Sequence, residues 1–212
     1  MAGDTASRRA AMVERQLRRR GIDDPRVLEA MRAVPREAYV GADMAGLAYE
    51  DTALPIAEEQ TISQPYVVAL MLQAAKPAPQ DRLLEIGTGS GYAAAVAARL
   101  VARVVTVERY AALAETARRR LAAQGVDTVA VHTADGTRGW PDEAPYDAII
   151  VTAGGRRVPD ALKAQLAAGG RLVIPVGDGG GQRLLLFERQ PDGSLTERDL
   201  GGVRFVPLVG AG

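Results

Sequence analysis

The sequence contains no cysteine and a single histidine, His132. Disulfides, thiolate metal sites and a cysteine nucleophile are thereby excluded. So is a zinc or catalytic-iron centre built on several histidines. Net charge is lacking too: 26 Lys+Arg stand against 26 Asp+Glu. That balance removes the electrostatic footprint most nucleic-acid binders need for phosphate contact. No apolar run approaches the roughly 20 residues of a membrane span, and Met1 to Arg20 lacks the apolar segment of a secretory signal. Aromatic residues are scarce, at 4%, which says little about function. The expectation is a cytoplasmic, monomeric enzyme with no metal, no nucleic-acid partner and no membrane anchor.

What is present suits one integrated domain. The 212 residues, 47% hydrophobic and 25% charged, suffice for a full core with a modest extension. Met12, Val13, Gln16 and Leu17 recur at helical spacing with arginines on the opposite side. A second helix is expected after Asp24 as cap and Pro25 as first residue, with Val27, Leu28 and Met31 as its apolar face. Residues 35–62 show no clean periodicity and read as loop, including the glycine-poor stretch Ala57-Glu58-Glu59-Gln60. A third helix begins near Ser63-Gln64-Pro65, with Val67, Leu70, Met71 and Ala74 as its stripe, and Lys76-Pro77-Ala78-Pro79 ends it. This divides the chain into an N-terminal helical extension, residues 1–79, and a core, residues 80–212.

From Asp81 the pattern alternates. Strands are expected over residues 82–86, 103–108, 128–133, 146–152 and 171–176, then 183–188 and a tail around 203–208. Helices are expected over 92–100 and 111–124. Alternation of this kind predicts an α/β fold with a doubly wound sheet. Ala148-Ile149-Ile150-Val151 reads as a strand buried on both faces, as in a parallel sheet. The last two strands have no helix between them, only a turn at residues 190–193, and should pair as an antiparallel hairpin.

The most informative stretch is Leu83-Leu84-Glu85-Ile86-Gly87-Thr88-Gly89-Ser90-Gly91-Tyr92, a strand, a glycine-rich turn and a helix. Ligands of such sheets bind outside the carboxyl ends of the strands, and glycine lets the backbone approach them. Tyr92 stands where a dinucleotide fingerprint has its third small residue, and no Gly-Lys-Ser/Thr follows, so neither a nicotinamide site nor a P-loop is expected. Glu108 ends the second strand, where a carboxylate can accept from a ribose diol. Asp135-Gly136 follows the third, and Glu85 ends the first. Three acids at adjacent strand ends suit a ligand with a ribose, an adenine and an α-amino group; S-adenosylmethionine carries all three and no phosphate.

Residues 85–92 resemble the first motif of the S-adenosylmethionine-dependent methyltransferases. Gln60-Thr61-Ile62-Ser63-Gln64-Pro65-Tyr66 is similar to the signature of the protein-L-isoaspartate O-methyltransferases. The stretches 24–31, 138–141, 146–153, 169–177 and 203–208 fit that family too, so the resemblance runs from about Met12 to Leu208. It implies a Rossmann-like, seven-stranded, mostly parallel sheet with an N-terminal helical addition. The implied reaction moves the methyl of S-adenosylmethionine to the α-carboxylate of L-isoaspartyl residues in damaged proteins and peptides. It further implies Ser63 as the active-site serine, and Thr61, Ile62, Glu85, Gly87, Thr88, Gly89, Gly91, Glu108, Arg109, Asp135, Gly136 and Thr152 as cofactor-binding positions. Three departures from the family pattern stand out: Ala57-Glu58-Glu59 where a glycine is usual, Gly154-Gly155-Arg156-Arg157 where an Ala/Pro-rich turn is common, and Ala134 for glycine.

Plainer roles stand beside these. Ser63 just before Pro65 also suits a helix cap. His132 and Trp140 suit packing, and Arg118-Arg119-Arg120 a solvated helix face, with Glu115 and Arg119 at i, i+4. Arg156-Arg157 suit either a solvated loop or a substrate carboxylate. Two other functions compete: a methyltransferase of the same fold acting on another peptide aspartate, and a non-catalytic S-adenosylmethionine-binding module.

Overall fold

The computed structural model describes residues 2–178 and 181–210. Helix α1 (Ala2–Met12) continues through a π turn, Val13–Leu17, and a 3-10 turn, Arg18–Arg20, until Gly21 stops it in a left-handed conformation. Met12, Val13 and Leu17 are buried, as the helical spacing predicts. Helix α2 (Pro25–Ala33) starts as expected, with the Asp24 carboxylate accepting from the backbone N–H of Arg26 at 2.8 Å and of Val27 at 3.4 Å.

Residues 35–62 are more ordered than their aperiodic sequence suggests. They hold two 3-10 turns, Arg36–Tyr39 and Ala45–Leu47, and a small antiparallel hairpin, β1 (Leu54–Pro55) with β2 (Thr61–Ile62). Two-residue strands are too short to carry a period, so tertiary packing alone defines them. Helix α3 (Pro65–Ala75) buries Val68, Ala69, Met71, Leu72, Ala74 and Ala75. Its packed face is therefore rotated from the expected stripe, and Val67 and Leu70 are only half-buried.

The remaining seven strands form one sheet: β3 (Arg82–Ile86), β4 (Arg103–Glu108), β5 (Val129–Thr133), β6 (Tyr146–Val151), β7 (Leu166–Asp178), β8 (Gly181–Arg189) and β9 (Leu195–Val203). Their order is β5-β4-β3-β6-β7-β8-β9. The first five are mutually parallel; β8 runs antiparallel to both β7 and β9. Helices α4 (Tyr92–Ala97), α5 (Ala111–Ala123) and the short α6 (Asp160–Ala164) lie in the connections. The chain winds outward from β3 to β5 and returns to β6, so strand order reverses at β3, the usual place for a ligand.

Alternate residues of the central strands serve opposite faces. Leu83, Val104, Ala148 and Ile150 join one apolar cluster with side chains of α1 to α4, whereas Leu84, Val105, Ile149 and Val151 join a second with Leu162 of α6. Residues 148–151 are buried on both faces, as predicted. The last strand corrects the expectation for the tail. It is Leu195–Val203, just after the Pro191-Asp192-Gly193 turn, while among the described residues beyond it only an isolated bridge forms, Gly154 with Pro207. As the sheet's edge, β9 is largely exposed and polar, so it lacks the apolar signal that Val203–Leu208 carries. Helix α6 and the first five residues of β7 likewise lie outside the expected elements. Among the described residues no helix is long and apolar enough to cross a membrane.

The β1–β2 turn is strained. Glu58 (φ 58°) and Glu59 (φ 54°) are both left-handed, and Gln60 N donates to Ala57 O at 3.2 Å, the pattern of a type I′ turn. Left-handed backbone costs a non-glycine residue roughly 1–2 kcal/mol. Glu59→Gly is therefore expected to stabilise the protein by about 1 kcal/mol, raising Tm by about 2–4 °C. A calorimetric melt of the variant that is unchanged or lower would contradict this account of the turn.

Candidate active site

The turn after β3 is pinned on three sides. Gly87 (φ 95°) donates its N–H to Val107 O at 2.8 Å, and a Cβ on it would sit 2.5 Å from Thr152 Oγ1. That hydroxyl donates toward Gly87 O (2.6 Å) and Ile86 O (3.0 Å), joining the ends of β3 and β6. Only glycine combines this φ with so close an approach. Gly89 N donates to Glu108 Oε2 at 2.8 Å, tying the turn to β4.

Two adjoining cavities open at these strand ends. The outer is lined by Thr61, Gly87, Gly89, Glu108, Arg109, Gly136 and Thr152, with Tyr110 and the tail Val206–Val209 completing its wall. The inner is lined by Thr61, Ile62, Ser63, Glu85, Gly87, Thr88, Gly89 and Thr152. The fold thus gathers eleven of the thirteen residues singled out from sequence. Gly91 lies outside both: at the start of α4 (φ 88°) it packs on α5, where a Cβ would come 3.3 Å from Ala117 Cβ. Asp135 also lies outside. Its Oδ1 caps the 3-10 turn Gly136–Arg138, accepting from Thr137 N (2.9 Å) and Thr137 Oγ1 (2.7 Å).

Electrostatics mark the inner cavity. Glu85 is wholly buried. Thr106 Oγ1 donates to Glu85 Oε2 at 2.5 Å and is itself 2.7 Å from Thr88 Oγ1. Glu85 Oε1 has no partner among the described residues. Burial pushes this carboxyl up to about 8, opposed by the Thr106 hydrogen bond and reinforced by the Glu108 charge. An orphaned buried oxygen needs a donor from a ligand. Glu108, 6% exposed, accepts from Gly89 N through Oε2 and from Tyr110 N through Oε1 (3.0 Å). Each carboxylate oxygen offers two acceptor sites, so one on each remains.

Ser63 is not a helix cap. Residue 64 occupies that position in α3 and makes no side-chain cap bond, and the Ser63 hydroxyl has no partner among the described residues. It is half-buried in the wall of the inner cavity. Its backbone is held from behind by Arg36, fully buried in the 3-10 turn after α2. The guanidinium donates to the carbonyls of Ala48 (2.5 Å), Thr52 (3.3 Å) and Ser63 (2.9 Å). Burial lowers the Arg36 pKa, partly offset by Tyr92, Tyr49 and Asp51.

Sequence reasoning missed Arg36, Thr106 and the wall formed by the tail, where Arg109 Nη1 donates to Val209 O at 2.8 Å. Of these, only Thr106 left a trace, a hydroxyl in the apolar run Val104-Val105-Thr106-Val107. His132 stacks on Trp140 with ring centroids 3.9 Å apart, outside both cavities, as a packing role predicts.

Known proteins resemble this chain in both sequence and fold. The family model described as protein-L-isoaspartate(D-aspartate) O-methyltransferase matches residues 7–212. A protein-L-isoaspartate O-methyltransferase of Rhodopseudomonas palustris is 57% identical over 201 residues, 94% of this chain and 92% of the relative. One of Methylorubrum extorquens is 57% identical over 206 residues, 97% and 90%. A solved protein-L-isoaspartate O-methyltransferase superposes with TM-score 0.86 at 31% identity, covering 95% of this chain and 66% of that one. A Plasmodium falciparum structure, described as such a methyltransferase in complex with S-adenosyl-L-homocysteine, superposes with TM-score 0.82 at 27% identity, covering 95% and 98%.

The buried Glu85 makes stability depend on pH. Between the ordinary carboxyl value of 4.5 and about 8, the folded state holds a proton that the unfolded state releases. The ligand-free protein therefore loses stability as pH rises through that window and levels off above it. At about 1.4 kcal/mol for each pH unit the window spans, the loss is on the order of a few kcal/mol. Melts of the wild type and Glu85→Gln from pH 5 to pH 8 should diverge, with the wild type falling relative to the variant. Parallel curves would mean that Glu85 stays ionised.

Proposed function

The chain belongs to the protein-L-isoaspartate(D-aspartate) O-methyltransferase family, and from that premise we propose how its own residues carry out the reaction. The reaction moves the methyl group of S-adenosylmethionine to the α-carboxylate of L-isoaspartyl residues, the step that begins repair of damaged protein chains. When bound, the cofactor supplies a methyl group activated on a sulfonium.

The cavities fit that cofactor. Glu85 Oε1, buried and unpartnered, is an acceptor for its α-amino group. The remaining acceptor sites of Glu108 suit the ribose diol. Gly87 and Gly89 let the main chain approach, Thr88, Arg109 and Thr152 flank them, and Gly136 borders the outer cavity, with Asp135 beside it outside the wall. Gly91 serves indirectly, by seating α4 on α5.

The observation that carries the catalytic reading is the free hydroxyl of Ser63 in the cavity that holds Glu85. An α-carboxylate, with an unperturbed pKa of about 3.3–3.7, is already ionised at neutral pH. No base is needed, and His132 is not placed to be one. Ser63 donates to one carboxylate oxygen and leaves the other free to react. Arg36 keeps the Ser63 backbone in place. Ile62, 3% exposed, helps exclude water. The task of this chain is alignment. We assign it to the cytoplasm as a monomer whose partners are isoaspartyl-containing proteins and peptides; zero formal charge supports the absence of a nucleic-acid partner.

Methyl transfer to paired synthetic peptides, one isoaspartyl and one aspartyl, tests the substrate. The isoaspartyl peptide alone should be modified; equal rates would favour a methyltransferase acting on another peptide aspartate. Ser63→Ala should lower kcat by about ten- to a thousandfold with little change in cofactor affinity, and a variant with full kcat would remove the serine from the mechanism. Glu108→Ala should weaken S-adenosylmethionine binding by about ten- to a hundredfold. Unchanged affinity by calorimetry would release Glu108 from the ribose.

A further inference from the structure

Beside the cofactor cavity, and sharing Pro207 and Leu208 with it, lies a groove of about 1160 Å³ at the carboxyl ends of β6 and β7. Its floor is built by main-chain bonds. Gly154 N donates to Val206 O (2.8 Å), Leu208 N to Gly154 O (2.7 Å) and Gly177 N to Gly155 O (2.9 Å). The Gln182 amide brackets Phe205, accepting from its N–H (2.7 Å) and donating to its carbonyl (3.2 Å). The groove is thus formed without rearrangement.

Its charge is lopsided although the chain's is not. Arg138, Arg156, Arg157 and Arg204 line it, all exposed, and none of their side chains has a partner among the described residues. Of the two lining carboxylates, Asp160 is paired with Lys163 at 3.2 Å, and Asp178 is not free. Arginine forks are shaped for carboxylates, and four of them on a preformed floor favour a chain that carries several. Thr152 lines the methyl-transfer cavity and Gly154 lies two residues on, roughly 7 Å of chain. The groove adjoins the outer cavity through Pro207 and Leu208, so residues flanking an isoaspartyl carboxylate held in these cavities have it within reach.

We propose that this groove receives an acidic stretch of the protein substrate, with Arg138, Arg156, Arg157 and Arg204 as the residues that select for it. The proposal rests on the isoaspartyl methyltransferase reading above. It assigns a use to Arg156-Arg157, where the sequence departs from the family pattern.

The test uses isoaspartyl peptides identical except at the second to fifth residues on either side, which are all Glu, all Lys or all Ser. With the wild type, kcat/KM should be about tenfold or more higher for the Glu peptide than for the Lys peptide. The difference should lie in KM and shrink as salt is raised. The double variant Arg156→Glu, Arg157→Glu should reverse the order while binding S-adenosylmethionine as the wild type does. Equal kcat/KM for Glu and Lys flanks, or a preference that survives the double variant, would overturn the groove assignment alone, since methylation of the Ser peptide would still uphold the enzyme reading. Failure to methylate any isoaspartyl peptide would overturn both. If a short RNA competes with the Glu peptide at equimolar concentration, the groove binds phosphate backbones and the acidic-polypeptide assignment falls.

Discussion

Glu85 sits between apolar strands with one oxygen unpartnered, and the surrounding structure is organised to tolerate it. A buried carboxyl without full hydrogen bonding is costly. The hydroxyls of Thr106 and Thr88 meet part of that demand, which places two polar side chains within the sheet and its turn. The rest is left for a ligand. The glycine-rich turn follows from the same requirement. The main chain must leave β3 sharply enough to keep the Glu85 oxygen facing a cavity, and Glu108 holds the turn there through Gly89. Glu108 is thus both a strut of the binding loop and an acceptor, which explains why a carboxylate rather than an amide stands at the end of β4.

A buried cation organises the opposite wall. Among the described residues no carboxylate is hydrogen-bonded to Arg36; its two terminal nitrogens donate to the carbonyls of Ala48, Thr52 and Ser63, and its Nε is left unpartnered. Those carbonyls are spread along residues 48–63, and the fork draws this aperiodic stretch into one layer against Tyr39 and Tyr92, whose rings meet edge to face at 5.7 Å. The N-terminal helices therefore do more than cover a sheet face. They supply the cation that fixes the backbone of the segment carrying Thr61, Ile62 and Ser63. With that backbone fixed, the serine hydroxyl is spared from capping α3 and remains available to a substrate.

The third wall comes from the far end of the chain. After β9 the tail crosses back to β6 through the bridge of Gly154 with Pro207, and Val206–Val209 close the outer cavity. This crossing separates the cofactor's space from the arginine-lined groove while leaving the two contiguous. The same few residues can thus exclude water on one side and face a polypeptide on the other.

The sheet, its central strands and the glycine turn were legible in the sequence because their signals are local. A short aliphatic run, a turn that needs positive φ and a carboxylate at a strand end all lie within a few neighbouring positions, as in Leu83 to Gly91. Glu85, Glu108 and Gly136 were legible for the same reason, each standing at a strand end or beside a turn, whereas Thr61, Ile62 and Ser63 were legible only through the likeness of residues 60–66 to a family signature. Tertiary structure alone decided the hold of Arg36 on Ser63, the hydroxyl relay from Thr88 through Thr106 to Glu85, and the place of the tail. Each joins groups from separate elements, and no local pattern records which carbonyl a guanidinium will meet. Strand β9 and the β1–β2 hairpin left no such signal, because an exposed edge and a two-residue ladder bury too little apolar surface to impose a period. Asp135 and Gly91 show the converse. Their positions matched a binding pattern, yet one carboxylate caps the turn that follows it and one glycine makes room for Ala117, because the backbone's own hydrogen bonds and helix packing act on those atoms directly.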